Sequence, residues 1–193
     1  MDISVNINCV VLETERLIIR PWKQSDLKDF FEYASVQGVG EMAGWNHHKS
    51  IEESRKILDM FIDEHKTFAL ELKNNGKVIG SLGIEKINPL DDPYENMYGK
   101  EIGYVLSKDY WGRGLMTEAV KKVIDFCFDD LRLDYLWISH WVDNDKSRRV
   151  IEKCGFEFVK EFEYTCQNGD IRPSRGYKKL NLRRRNYENR ARI

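Results

Sequence analysis

The stretch at residues 67–87, TFALELKNNGKVIGSLGIEKI, constrains the fold more than any other. Two runs of alternating apolar and polar residues flank Asn74, Asn75 and Gly76. A turn of that type needs positive φ, so the two runs pair as an antiparallel hairpin. A third strand-like run, EIGYVLS at 101–107, follows after the polar loop NPLDDPYENMYGK with no helical pattern between. Three strands in succession argue against a doubly wound parallel sheet and for a mixed one.

Periodicity assigns the rest. RLIIRPW is a β-rich run ended by Pro21. SDLKDFFEYAS carries Leu27, Phe30, Phe31 and Ala34 at helical spacing. SIEESRKILDMFIDEH opens on a capping box, Ser50 and Glu53, and turns Ile57, Leu58, Phe61 and Ile62 to one face. LMTEAVKKVIDFCFDDL is a helix with Ala119, Val120, Val123, Ile124 and Cys127 inward, and LDYLWISHWV is a strand. NDKSRRVIEKCGF is a short helix stopped by Gly155. FEFVKEFEY and SRGYKKLNL close the chain as strands around the turn QNGD. The order β, α, α, β, β, β, α, β, α, β, β describes a mixed sheet with helices packed on it.

Composition narrows the function. With 193 residues, 41% apolar and 33% charged, the chain suits one globular domain. Lys plus Arg (31) nearly balance Asp plus Glu (32), so overall charge gives no case for nucleic acid or an anionic membrane. Only the tail at 183–193, RRRNYENRARI, is basic, and it reads as a solvated end in preference to an RNA- or ribosome-contacting arm. No apolar run approaches a membrane span, and the N-terminus lacks the basic region of a signal peptide. Cys9, Cys127, Cys154 and Cys166 are far apart and form no metal-ligand spacing, a usage that fits a reducing cytoplasmic setting. His47 and His48 are adjacent and so share no face, which argues against a metal there.

The stretch YWGRGLMTEA at 110–119 carries chemistry without a nucleophile. Gly112 and Gly114 let the backbone bend tightly and a ligand approach without Cβ obstruction. The amides from Arg113 to Thr117 sit where a helix begins, and free amides at the positive end of a helix dipole form an anion site suited to phosphate. A dinucleotide fingerprint would need a third glycine where Thr117 stands, and no P-loop lysine is present. On spacing alone, an ordinary strand–helix connection fits equally well.

YWGRGLMTEA, a strand, and then NDKSRRVIEKCGF, together with LETERLIIRPW and GKVIGSLGI, resemble the GNAT superfamily of acyl-CoA N-acyltransferases. The likeness is greatest to the branch containing the ribosomal-protein N-terminal acetyltransferases, and it covers roughly residues 11–181 in the expected order. It implies an α/β fold: a mixed, mostly antiparallel sheet of about seven strands, splayed between the fourth and fifth, with helices on both faces. It implies one acyltransferase domain over 1–182 and acetyl-CoA as cosubstrate, with no metal. The family's pyrophosphate loop falls on Trp111, Gly112, Arg113, Gly114, Leu115 and Met116, with Thr117 following. Gly114 matches the central glycine; Trp111 and Met116 depart from the strict pattern. The pantetheine is expected between strands 101–107 and 135–141, held as a short extra strand.

The resemblance implies direct attack of an amine on the thioester in a ternary complex, with an amide near Val105 stabilising the developing oxyanion. His140 is the first candidate base and Glu101 the second, each with a plainer reading as a strand histidine or a surface carboxylate. Glu85 is a weaker third. Asn144 matches the family asparagine that binds pantetheine or the loop, and it also suits a helix N-cap. Many relatives carry a tyrosine on the last helix that protonates the leaving thiolate; Ile151 stands there, leaving Ser147 as the available hydroxyl. Trp45 is expected to wall the acceptor cleft or to anchor its loop. The acceptor is a primary amine, either a protein N-terminus or a small amine such as a polyamine, amino acid or antibiotic. A module that binds acyl-CoA without turnover is the remaining class.

Overall fold

The computed structural model describes residues 3–87, 94, 97–166 and 169–182. The strands are β1 (Leu12–Glu13), β2 (Leu17–Pro21), β3 (Thr67–Leu72), β4 (Val78–Glu85), β5 (Gly99–Leu106), β6 (Tyr135–Trp141), β7 (Glu157–Thr165) and β8 (Ile171–Leu180). The helices are α1 (Leu27–Ala34), α2 (Ile51–Glu64), α3 (Leu115–Asp129) and α4 (Asp145–Lys153). The strands form one sheet in the order β1-β2-β3-β4-β5-β6-β8-β7. Every neighbouring pair is antiparallel except β5 and β6.

The β3–β4 turn forms as its residues require. Gly76 takes φ 72°, and its amide donates to the Leu72 carbonyl at 2.8 Å while the Leu72 amide donates to the Lys77 carbonyl. Ser50 caps α2 by accepting from the Glu53 amide, whereas the Glu53 carboxylate reaches back to the Lys49 amide. Gly155 ends α4 at φ 72°. The observed sheet has eight strands where about seven were expected. The addition is β1, a two-residue strand beside β2 and too short to carry a periodicity. Gln167 and Asn168 of the QNGD turn, most of the loop after β4, and the basic tail at 183–193 lie outside the described residues.

Alternation along the strands sorts side chains onto two faces. Phe68, Leu70, Ile79, Ile102, Leu106, Leu136 and Ile138 join Val120, Val123 and Cys127 of α3 and Ile151 of α4 in the larger core. Ala69 and Val78 face the other way, onto Phe30, Tyr33 and Leu58 of α1 and α2, with Val105 packed against that cluster. Each large apolar side chain fully buried here stabilises the fold by about 1.5–3 kcal/mol. Buried Arg20 adds a specific tie: its guanidinium holds both Asp26 oxygens (2.8 and 2.9 Å) just before α1, and Glu71 on β3.

What this framework positions is a break in the sheet. The β5–β6 register runs Gly99↔Tyr135, Lys100↔Leu136, Glu101↔Trp137 and stops. β5 continues to Leu106 against β4, and β6 to Trp141 against β8. Each strand keeps an outer partner where the two part, so both remain extended beside an open seam.

Candidate active site

Pairing phase determines which main-chain groups face the seam. The Ser107 amide donates to the Ile79 carbonyl at 2.8 Å, so Ser107 points toward β4. Successive residues alternate sides, which turns the Val105 and Gly103 amides to β4 and those of Ile102, Tyr104 and Leu106 to the seam. On β6 the Tyr135 amide points to the Tyr98 carbonyl, so Trp137, Ser139 and Trp141 face the seam as well. An oxyanion donor was expected near Val105. The Val105 amide belongs to the β4 ladder, and the amides beside it that face the seam are those of Tyr104 and Leu106.

The seam opens onto the glycine turn. Gly112 and Gly114 take φ 76° and 78°, a region that favours glycine. A Cβ at Gly112 would meet nothing within 4 Å, and one at Gly114 only Arg16 Nη2 at 3.6 Å. Gly114 is the N-cap of α3 and brings no side-chain cap; the first helical bond runs from the Glu118 amide to its carbonyl. The amides of Leu115, Met116 and Thr117 precede that bond and are offered outward. Leu115 and Met116 bury their side chains in the core (4% and 5% exposed). The departure at Met116 therefore changes what lies under the loop and not the amides on top. Arg113 lays its guanidinium over the Tyr110 ring at 5.1 Å, keeping a positive charge beside the turn. Backbone amides, an open approach and a helix dipole fit a diphosphate, and the seam fits an extended amide-bearing arm.

Two residues on the approach to the turn were not legible as site residues. Arg16 donates through Nη1 to the Arg113 carbonyl at 2.9 Å and pairs with Glu118 at 2.7 Å. Burial opposes charge on Glu118, but the Thr14 hydroxyl and the Arg16 amide and guanidinium outweigh it and hold the carboxyl below its usual range. Arg16 thus neutralises the one acidic group in the first turn of α3 while bracing the loop.

Trp111 closes the turn from the other side. Its Nε1 donates to the Leu106 carbonyl at 2.7 Å, and the Lys146 ammonium sits 4.0 Å over its ring. Lys146 belongs to the first turn of α4, where Asn144 is the N-cap: its Oδ1 accepts from the Ser147 amide at 3.1 Å. The Ser147 hydroxyl is then left to Tyr104 of β5, 2.7 Å away. Ile151, fully buried, offers no hydroxyl.

The candidate bases lie on opposite faces. His140 points to the α3/α4 side and is buried, with Nδ1 2.7 Å from the Trp141 carbonyl and Nε2 3.0 Å from the Tyr177 hydroxyl. A carbonyl only accepts, so Nδ1 carries the proton and Nε2 accepts from Tyr177. Burial lowers the His140 pKa and favours that neutral form. Glu101 points to the α1/α2 side at the base of the seam, where its Oε1 accepts from the Ser139 hydroxyl at 3.1 Å. Glu85 is paired with Lys66 at 2.9 Å.

The α1–α2 connection lies over the far end of β6. Trp141 Nε1 and Arg172 Nη1 both donate to the Glu41 carbonyl, at 3.3 and 3.2 Å. The Glu41 carboxylate loses some favour from burial, yet His47 and the Gly38 and His47 amides take it down to about 2. His48 is 2.7 Å from the Ser54 hydroxyl, and its ring packs on Trp45 at 5.0 Å. Trp45 packs against the α1/α2 cluster, so the loop is anchored there. Among the described residues no group of three or more His, Cys, Asp or Glu could hold a metal ion, and no helix is long and apolar enough to cross a membrane.

Comparison with known proteins gives the family. Residues 16–157 match the family described as the acetyltransferase (GNAT) domain. The chain is 27% identical over 165 residues to the uncharacterized N-acetyltransferase YoaA of Bacillus subtilis, covering 82% of this chain and 90% of that one. It is 31% identical over 134 residues to the probable N-acetyltransferase YjcK of the same organism, covering 69% and 70%. Among solved structures, the ribosomal-protein-S5-alanine acetyltransferase of Vibrio fischeri superposes with a TM-score of 0.71 and 25% identity over 90% of this chain and 97% of that one.

Proposed function

The chain belongs to the GNAT family of acetyltransferases, and from that premise we propose that it transfers the acetyl group of acetyl-CoA to the α-amine of a protein N-terminus. The observation that carries the reading is the seam between β5 and β6 opening onto the glycine-capped start of α3. One face offers amides to a diphosphate and the other offers strand edges to an arm that leads inward.

Acetyl-CoA supplies the activated thioester. The amides of Leu115, Met116 and Thr117 and the positive end of α3 hold its diphosphate, with Arg113 adding charge. Seam-facing groups of Ile102, Tyr104 and Ser139 align the arm, and the Tyr104 or Leu106 amide donates to the thioester oxygen as it gains charge. Glu101, oriented by Ser139, takes the proton from the attacking nitrogen. Ser147 donates a hydrogen bond to the departing sulfur, and Asn144 holds the helix start that presents it. His140 secures the Trp141 carbonyl at the end of β6, beside the turn that leads to Asn144. Trp45 and its loop border the acceptor side.

The α-amine is favoured on two grounds. Alanine has no side-chain amine, so an enzyme named for acetylating an alanine of ribosomal protein S5 acts on an α-amine. An α-amine of pKa about 8 costs roughly 1.4 kcal/mol to deprotonate at pH 7, against more than about 4 for a lysine. A single carboxylate suffices for the smaller task.

Thiol release from acetyl-CoA tests the reading with three acceptors: a lysine-free peptide beginning with alanine, a lysine peptide with a blocked N-terminus, and spermidine. Turnover with the first alone is expected. Turnover with spermidine alone would move the acceptor to a small amine, and release with none would remove the assignment. Glu101→Gln should lower kcat about a hundredfold, while His140→Ala should change it by less than about tenfold.

A further inference from the structure

We propose that Tyr104 is a positioning residue that orients the Ser147 hydroxyl toward the sulfur leaving the thioester. The inference rests on the site reading above and adds a residue from the opposite wall of the seam.

Position 151, where the resemblance led us to expect a proton-donating tyrosine, holds a fully buried isoleucine. Ser147, in the first turn of α4, could spend its hydroxyl on capping the helix. Here it does not, because Asn144 Oδ1 already takes the Ser147 amide. A serine hydroxyl freed in this way rotates between staggered positions, and its single hydrogen follows whatever acceptor is nearest.

Tyr104 removes that freedom. It lies on β5, on the face directed at α3 and α4, and its hydroxyl stands 2.7 Å from Ser147 Oγ and 3.4 Å from the Ser147 carbonyl. The shorter contact ties β5 to the first turn of α4. Burial pushes the Tyr104 phenol well above its ordinary pKa, so it keeps its proton and has one to donate. Either hydroxyl can donate across the 2.7 Å contact; when Tyr104 donates to Ser147 Oγ, it occupies a lone pair there and leaves the Ser147 hydrogen for a second acceptor, the sulfur. The rigid strand, with a planar ring on it, thereby fixes the direction of a hydroxyl that α4 alone would leave to rotate.

The chemistry balances without changing either side chain. The carbon–nitrogen bond forms and the carbon–sulfur bond breaks, leaving the electron pair on sulfur. The Ser147 O–H hydrogen-bonds that charge. The proton that finally neutralises sulfur is the one lost by the amine nitrogen, exchanged through solvent.

Two measurements test this. The first is the pKa of the bound CoA thiol, followed by the ultraviolet absorbance of its thiolate in the wild type, Tyr104→Phe, Ser147→Ala and the double variant. An oriented donor favours the thiolate, so Ser147→Ala should cut the thiolate fraction about tenfold and Tyr104→Phe about three- to tenfold. Tyr104→Phe should add nothing once Ser147 is alanine. The second is steady-state kinetics: kcat falls by the same factors, KM for acetyl-CoA stays within about twofold, and the loss grows as the leaving thiol is made less acidic. An unchanged thiol pKa in Tyr104→Phe overturns the inference, as does an equal effect of that change in the Ser147→Ala background. Circular dichroism and melting of each variant identify one that has merely lost its fold, and a Tyr104→Phe effect accompanied by lost structure counts against the positioning role. If the wild type fails to bind CoA, the site reading falls; if it binds and turns over while Tyr104→Phe is silent, only the role of Tyr104 falls.

Discussion

Replacing Gly114 with glutamate separates the anion site from an ordinary tight turn. The substitution fits sterically, since a Cβ there meets only Arg16 Nη2 at 3.6 Å. The backbone cost is that of a non-glycine residue at φ 78°, about 1 kcal/mol. A carboxylate at the start of α3 returns about 0.3–1 kcal/mol through the helix dipole. Folding stability should therefore fall by less than about 1 kcal/mol, or roughly 2–4 °C in Tm. Binding changes far more. A carboxylate about 5 Å from two phosphate charges costs about 1.7 kcal/mol in water-like surroundings, and several times that where the groups are desolvated. The CoA dissociation constant should rise at least about tenfold. Gly114→Ala carries the backbone strain without the charge and should keep its affinity within about threefold. Isothermal titration of CoA into the three proteins, alongside thermal melts, reads both quantities. Glutamate that leaves affinity untouched, or alanine that weakens it as much as glutamate does, would refute the argument from backbone amides.

Arg16→Ala should cost about 0.5–1 kcal/mol of stability, because the pair is partly exposed, and weaken CoA several-fold by releasing both the Arg113 carbonyl and the Glu118 charge; denaturant melts and titration check this. Glu118 has a folded pKa below its unfolded value of about 4.5, so its contribution is complete above that pH and disappears as pH falls through the lower, folded value. In Glu118→Gln, the acid side of the stability–pH curve should flatten, as followed by melting between pH 6 and 3. Ile151→Tyr, which places a phenol on α4, should destabilise by about 1–3 kcal/mol by overpacking a fully buried site and should not raise kcat.

Local features of the chain carried most of this. The Asn-Asn-Gly turn specifies a hairpin whatever surrounds it, and Gly112 and Gly114 announce a tight strand–helix bend because few other residues tolerate positive φ. Asn144 was legible as a helix N-cap for the same reason, since capping is a property of neighbouring residues. What stayed hidden depends on tertiary placement. Tyr104 and Ser147 are 43 positions apart, and Arg16 and Glu118 are 102 apart. Alternation says that Val105 and Leu106 face opposite ways but not which way each faces; the partner strand decides that. The same ambiguity put His140 ahead of Glu101 as candidate base without saying that the two side chains lie on different faces of the sheet.

The central claim is that the seam between β5 and β6 and the turn before α3 together hold CoA. Amide hydrogen exchange with and without saturating CoA tests it most directly. Protection is expected at residues 102–106, 112–117 and 139–147, with β2, β3 and α2 unchanged. Exchange that CoA does not slow in those three segments, or slows elsewhere, would contradict the account.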